Sequence, residues 1–166
     1  MILKKFFNFS LAALVSAFAV ACSASADADD EDIVKSSSSV SAQSIYEAVQ
    51  ESGKYTTKDS VAAYLCKFDK LPSNYVSKAE GQKLYESKTG KTFEKWNFNP
   101  WTTIGVMIGG DTYSNSEGLL PKGSYHEADV DYSANNRGTK RLMYQGGCTI
   151  YYTANHYESY SEIKIH

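Results

Sequence analysis

The sequence predicts an α+β domain in which N-terminal helices pack on one face of an antiparallel β-sheet. Three observations lead there. Val61, Tyr64, Leu65 and Phe68 recur at helical spacing. Ser77 and Glu80 stand three residues apart in the hydroxyl–carboxylate pattern that opens helices. Beyond Ile108 the pattern turns to short strands parted by glycine-rich turns. Helices first and strands afterwards is an α+β order.

In chain order, residues 1–26 read as an export signal. Lys4 and Lys5 supply the positive start, Phe6 to Val20 the apolar run, and Ala21-Cys22-Ser23-Ala24-Ser25-Ala26 the small residues. The run is too short to stay as a membrane-spanning helix, so cleavage follows. Two cleavage reactions compete. Ala24-Ser25-Ala26 is an A-x-A site that would release a soluble protein starting at Asp27. Ala19-Val20-Ala21-Cys22 fits a relaxed lipobox that would leave Cys22 lipidated and the protein attached to a membrane. The tether-like stretch that follows tips the reading towards the lipid. In residues 27–53, seven acids face Lys35 alone, and Ser36 to Ser39 interrupt them. Such a composition buries no core and reads as a tether. Within it, Ser44 to Ser52 fits a short helix with Ser44 as N-cap, Ile45, Ala48 and Val49 on one face, and Gly53 at its end.

Residues 54–166 form the globular domain. They hold fourteen Lys or Arg against twelve Asp or Glu, although the whole chain is formally −2. Mild basicity permits a polyanionic partner without requiring one. Thr57 reads as the N-cap of a helix running to about Asp69, Pro72 makes a turn, and the Ser77 cap starts a second helix that reaches about Tyr85. Lys91 to Trp96 fits a helical turn, whereas Pro100 and Gly105 read as loop. Gly109-Gly110-Asp111 opens a loop, and Gly118 to Gly123 makes another around Pro121. Tyr125 to Tyr132 alternates in character, Gln145-Gly146-Gly147 joins Lys140–Tyr144 to Cys148–Thr153 as a hairpin, and Tyr160 to Ile165 is the last strand. With Cys22 removed or lipidated, Cys66 and Cys148 remain as an even pair that an oxidising compartment would join.

The residues able to carry chemistry are Glu127, Arg137, Arg141 and His156 in the β half and Lys78 in the helical half. A carboxylate, an imidazole and fixed cations suit acid–base cleavage of a phosphodiester. The same residue types equally suit solvated strand and sheet-edge positions. His126, His156 and His166 lack the close spacing of zinc ligands, so neither a metal nor another cofactor is implied.

Several separated motifs narrow the choice. Ile108-Gly109-Gly110-Asp111-Thr112-Tyr113-Ser114-Asn115-Ser116-Glu117-Gly118 with Leu120-Pro121, and upstream Val61-Ala62-Ala63-Tyr64-Leu65 and Lys70-Leu71-Pro72-Ser73-Asn74-Tyr75-Val76-Ser77-Lys78, resemble the barnase-type, guanyl-preferring bacterial ribonucleases. His126-Glu127-Ala128-Asp129-Val130-Asp131-Tyr132, then Arg137, Arg141 and Asn155-His156-Tyr157, follow in the family's order. The resemblance covers about residues 57–165, and the family's fold agrees with the α+β reading.

The resemblance implies roles. Glu127 matches the general base for the ribose 2′-hydroxyl and His156 the general acid for the departing 5′-oxygen. Lys78, Arg137 and Arg141 match the cations that hold the scissile phosphate. The loop of Tyr113, Ser114, Asn115, Ser116 and Glu117 matches the guanine-recognition loop, with Glu117 as the carboxylate facing the base and Tyr157 as the stacking aromatic. Three features depart from the family. Ser116 replaces an arginine, the connection over residues 85–107 is longer and rich in aromatics, and Cys66 and Cys148 are new. The matching positions of those cysteines lie near each other in the family fold, so a disulfide would tie helix to sheet, worth up to ~4 kcal/mol.

The expectation is therefore a secreted or surface-anchored, monomeric endoribonuclease. It would cleave single-stranded RNA after guanosine to a 2′,3′-cyclic phosphate, without metal, and then hydrolyse that product. A barstar-like protein inhibitor would protect the cytoplasm that makes it. The alternative is a lipid-anchored module that keeps the fold and binds RNA or a protein without catalysis.

Overall fold

The computed structural model describes residues 42–165. The leader, the acidic cluster, Cys22 and His166 lie outside the described residues. Four helices come first: α1 (42–48), α2 (Lys58–Phe68), α3 (Lys78–Thr89) and α4 (Pro100–Ile104), with strand β1 (Tyr75–Val76) between α2 and α3. Then come β2 (Met107–Tyr113), β3 (Tyr125–Asp129), β4 (Arg141–Gln145), β5 (Thr149–Thr153) and β6 (Ser161–Glu162).

The helix of the apolar stripe forms as α2 and buries Val61, Ala62, Ala63, Tyr64 and Leu65. Thr57 stands at its N-cap but does not cap with its side chain; the hydroxyl donates instead to Ser60 Oγ at 3.0 Å. The first helical N–H, on Lys58, donates 3.1 Å to Asp131 Oδ1, so a carboxylate far along the chain satisfies that end. α3 opens on the predicted capping box: Glu80 N donates to Ser77 Oγ, and Ser77 N donates to the Glu80 carboxylate. It runs past Tyr85 to Thr89 and stops at Gly90. No helical turn forms over Lys91–Trp96. The turn forms later as α4, because Pro100 occupies the first helical position, where a missing N–H costs nothing, and Asn99 Oδ1 accepts from Thr102 N at 3.1 Å.

The six strands lie in sequence order. All neighbours are antiparallel except β1 and β2, which pair in parallel through Tyr75↔Met107 and Val76↔Ile108. The sheet is thus mixed at that edge, since the chain returns to it through α3 and α4. A two-residue strand has no periodicity to read, which is why β1 was not legible. Gly109-Gly110-Asp111 is no loop either. It lies within β2, where Gly110 (φ 91°) bulges out and the register steps from Gly109↔Ala128 to Asp111↔Glu127. The last strand shortens to Ser161–Glu162.

Alternation along the strands gives the sheet two different faces. On one, Leu142, Ile150 and Val130 pack with Val61, Ala62 and Leu65 of α2 and with Ile165. On the other, Tyr125, Met143 and Leu120 form a smaller cluster flanked by Tyr113, Tyr151, Tyr157 and Tyr160. A disulfide joins Cys66 on α2 to Cys148 in the β4–β5 turn, with Cα atoms 4.3 Å apart and a sequence separation of 82. The segment read as tether contributes as well. α1 is already helical at residue 42, so Ser44 lies inside it. Val49 is buried, and Lys67 Nζ donates to the carbonyls of Tyr46, Glu47 and Val49 at the end of α1. Tyr64 donates its phenol to Glu51 O at 2.8 Å, so the folded part reaches back beyond residue 54.

Candidate active site

The second face of the sheet carries the charges. The β2 bulge sets Asp111 opposite Glu127, and Asp111 Oδ2 accepts from the backbone N–H of Lys78 at 2.9 Å. This contact anchors the first residue of α3 against the sheet. The Lys78 side chain then reaches Glu127 and pairs with its Oε1. Glu127 is only 4% exposed, and its other oxygen, Oε2, accepts from the Tyr157 hydroxyl at 2.6 Å. Burial pushes the Glu127 carboxyl upward. The hydrogen bonds from Lys78 and Tyr157 and the charges of Lys78 and Arg137 outweigh it and hold the group below its ordinary value. Burial, together with the hydrogen bond to Glu127 and its charge, raises the Tyr157 phenol, which therefore stays a proton donor in this pair.

Two residues along the same strand face, Asp129 is fully buried. Arg137 forks onto it through Nε and Nη2, the latter at 2.8 Å from Oδ1, and the Tyr132 hydroxyl donates to Oδ2 at 2.8 Å. Burial works against the Arg137 charge, but the bonds to Asp129 outweigh it and raise the guanidinium further. Arg141 Nε lies 2.7 Å from Asp129 Oδ1, out of line for a hydrogen bond. Its other nitrogens donate to Lys140 O and Gly138 O. Arg141 is only 2% exposed, so it stands behind Asp129 rather than beside Lys78 in the open. Expected as a phosphate-holding cation, it lies buried against Asp129 in the free protein.

His156 and Tyr157 sit in the turn after β5, both with left-handed backbone (φ 58° and 76°). That conformation is unfavourable for such side chains, and polar contacts hold it in place. Tyr157 N donates to Thr153 Oγ1 at 3.1 Å, Asn155 Oδ1 accepts from Ser159 N, and Asn155 Nδ2 donates to Ser159 Oγ. The turn leaves the His156 imidazole exposed and 4.6 Å, between centroids, from the Tyr157 ring. Tyr157 therefore joins the exposed imidazole to the buried carboxylate.

Tyr113 opens the loop expected to recognise a base. Its ring stacks on Tyr157 (centroids 5.5 Å, planes 19° apart), and its hydroxyl shares a 2.6 Å hydrogen bond with Tyr160. Ser114, Ser116 and Glu117 are exposed. Asn115 differs: its amide is spent on Leu120, donating 2.7 Å to the carbonyl and accepting 3.1 Å from the N–H, so it shapes the loop. The structure thus gathers Lys78, Glu127, Arg137, His156, Tyr157 and Tyr113 on one face. Among the described residues, no cluster of three or more His, Cys, Asp or Glu side chains is arranged to hold a metal ion.

Sequence reasoning missed Asp111, Asp129, Thr153 and the Tyr157 hydroxyl. Only Asp129 had a signal. It shares a strand face with Glu127 at i+2, and two carboxylates on one face call for cations opposite.

The family described as ribonuclease matches residues 58–164. A ribonuclease of Heyndrickxia coagulans is 37% identical over 111 residues, covering 65% of this chain and 96% of that protein. A guanyl-specific ribonuclease St of Saccharopolyspora erythraea is 40% identical over 55 residues, 31% of this chain and 54% of its own length. Among solved structures, ribonuclease Sa2 with guanosine-2′-cyclophosphate matches with a TM-score of 0.31 and 26% identity, covering 58% of this chain and 89% of that one.

Proposed function

The chain belongs to the ribonuclease family and is an endoribonuclease; on that premise we propose that it cleaves single-stranded RNA after guanosine by using the substrate's own 2′-hydroxyl. The observation that carries this reading is the buried Glu127 carboxyl held between Lys78 and the Tyr157 hydroxyl, with the exposed His156 beside them.

In the free protein both Glu127 oxygens are occupied. A bound ribose replaces one of those partners, and the carboxylate takes the 2′-hydroxyl proton. The freed 2′-oxygen attacks the adjacent phosphorus, and the P–O5′ bond breaks. His156, as the imidazolium, gives its proton to the leaving 5′-oxygen, so the product is a 2′,3′-cyclic phosphate. Water then opens the ring with the two roles exchanged. Because the nucleophile belongs to the substrate, its proximity is built in and no metal-activated water is needed. DNA, which lacks the 2′-hydroxyl, is not a substrate. Lys78 and Arg137 supply donors for the charge that grows on the phosphate oxygens, and Arg141 acts through Asp129.

Guanosine preference rests on the exposed Glu117, whose carboxylate suits the paired donors on guanine's edge, and on the guanyl-specific relative. Ser116 brings no charge, so base affinity is modest. The leader supports export, with either a start at Asp27 or a lipid on Cys22; the intact mass of the mature protein separates the two. A monomer and a cytoplasmic, barstar-like inhibitor complete the proposal.

The test uses the purified protein in EDTA with a short RNA containing one guanosine, its DNA twin, and the His156→Ala variant. The expected product is a cyclic phosphate after guanosine, from RNA only, and absent with the variant. A folded protein that binds RNA without cleaving it, and still binds after substitution of Glu127 and His156, would instead be a binding module.

A further inference from the structure

We propose that Trp96 is a positioning residue for this reaction: its indole holds the face of the Arg137 guanidinium so that the donors not engaged by Asp129 are aimed at the phosphate. The inference rests on Arg137 being the phosphate-facing cation of the reaction proposed above.

Arg137 lies between β3 and β4, in a stretch without strand or helix, so the backbone alone does not fix where its long side chain points. Asp129 takes Nε and Nη2. Two bonds to one carboxylate tether an edge of the guanidinium but still let its plane rock. The ring of Trp96 closes that freedom, with Arg137 Cζ 5.5 Å from the ring, inside the range in which a cation is drawn to an aromatic face. Indole is the strongest such partner among the side chains.

The indole is itself held firmly. Phe93 meets it edge-on at 4.7 Å and Phe98 lies at 5.6 Å, while Tyr85 of α3 stacks on Phe98 at 4.7 Å. Phe93 N donates 3.0 Å to Glu86 Oε1, which fastens the segment to α3. Gly81 admits the indole to the flank of α3. A Cβ there would stand 2.9 Å from Trp96 Cη2 and 2.6 Å from Ile108 Cδ1, both closer than real contacts. Trp96 therefore bridges α3, whose first residue is Lys78, and the loop that carries Arg137. The longer connection between α3 and α4 thereby reaches the catalytic face.

A residue that only fills a local aromatic core would be felt in stability, not in the transition state. The test therefore uses the full protein with Trp96→Leu and Trp96→Phe, each alone and combined with Arg137→Lys, on the single-guanosine RNA. Thermal melts are run alongside. Trp96→Leu is expected to lower kcat about tenfold with KM little changed, the mark of an interaction made in the transition state, and Trp96→Phe about threefold. In the Arg137→Lys background the Leu change should add less than about twofold, because an ammonium has no plane to hold. A kcat within about twofold of wild type for Trp96→Leu, equal losses for Phe and Leu, or a fully additive loss with Arg137→Lys would overturn the inference. Should Trp96→Leu fail to fold, the same cycle with Trp96→Phe decides between coupling and additivity. A folded wild type that cleaves no RNA overturns the functional reading and this inference together, whereas an active wild type indifferent to Trp96 overturns this inference alone.

Discussion

Replacing Asp129 by Asn should cost the fold a large share of its stability. Asp129 is fully buried and receives Arg137, Arg141 and Tyr132 at once. The amide would keep the shape but remove the charge, and its NH2 group would face guanidinium donors. Side-chain exposure is 12% for Arg137 and 2% for Arg141, so water can do little for either cation left behind. Removing one partner of a buried pair costs ~3–5 kcal/mol. Glu127 lies close enough to interact with Arg137, and Arg141 keeps its two carbonyl acceptors, so a loss of about 4 kcal/mol is expected. For a domain of this size that lowers Tm by roughly 15 °C. Urea denaturation at neutral pH measures it, with an unchanged slope as the sign that the unfolded state is not the cause. Asp59→Asn provides the contrast, since its pair with Lys58 is exposed and worth under about 0.5 kcal/mol. A stability loss below about 1 kcal/mol for Asp129→Asn would mean that the network is an arrangement without energetic weight, and the reasoning would fail.

Other expectations are more local. Glu127 is held below its ordinary value partly by the Tyr157 hydroxyl and by Lys78, so Tyr157→Phe or Lys78→Met should raise it. The acid limb of the kcat/KM–pH profile then moves to higher pH, and an unmoved limb would remove Glu127 from the base role. The same depression stabilises the fold at pH values above the unfolded carboxyl's titration, and that contribution is lost as pH falls through the folded value; urea midpoints across the acid range should fall less steeply in Tyr157→Phe. Replacing Cys66 and Cys148 with Ser opens a loop closed across a sequence separation of 82 and should cost about 4 kcal/mol in urea; a loss under ~1 kcal/mol would mean that the unfolded chain is little constrained by the bridge. Removing everything before residue 54 exposes the Val49 contact and strips Lys67 of its three carbonyls, for about 2 kcal/mol of stability and no change in kcat/KM. A changed rate would show that α1 reaches the site.

What could be read from the sequence depended on whether the signal was local. The α2 stripe, the Ser77–Glu80 box and the β4–β5 hairpin carry their patterns within a few residues, and all three formed. β1 and the β2 bulge are set by a partner strand, so Tyr75-Val76 showed nothing and Gly109-Gly110 read as a break. Pro100 misled because its meaning depends on position: it breaks a helix from inside and starts one from the first turn. In the candidate site, Glu127, His156, Lys78 and Arg137 were singled out by type and order, and the fold brings them to one face. The residues that aim them were not, because Asp111, Asp129 and Thr153 act through contacts with distant parts of the chain. Arg141 shows the limit most clearly. Its place in the sequence marks a cation, and only the packing shows that the cation faces inward to Asp129.

On the proposed mechanism, the charge arrangement explains how a base can be buried and still ready. A carboxylate removed from water would normally take up a proton, and a protonated Glu127 could accept none from a ribose. Lys78 and the Tyr157 hydroxyl prevent that, yet both partners can be exchanged. Lys78 is 38% exposed at its side chain and sits at a helix start, while Tyr157 is held by a strained turn. Asp129 has no such freedom, because its partners Arg137 and Arg141 are packed around it. The two carboxylates of one strand thus divide the work. Asp129 keeps cations that a substrate does not displace, and Glu127 holds partners that it can. Ligand entry should therefore disturb the Lys78–Glu127–Tyr157 contacts and leave the Asp129 network in place.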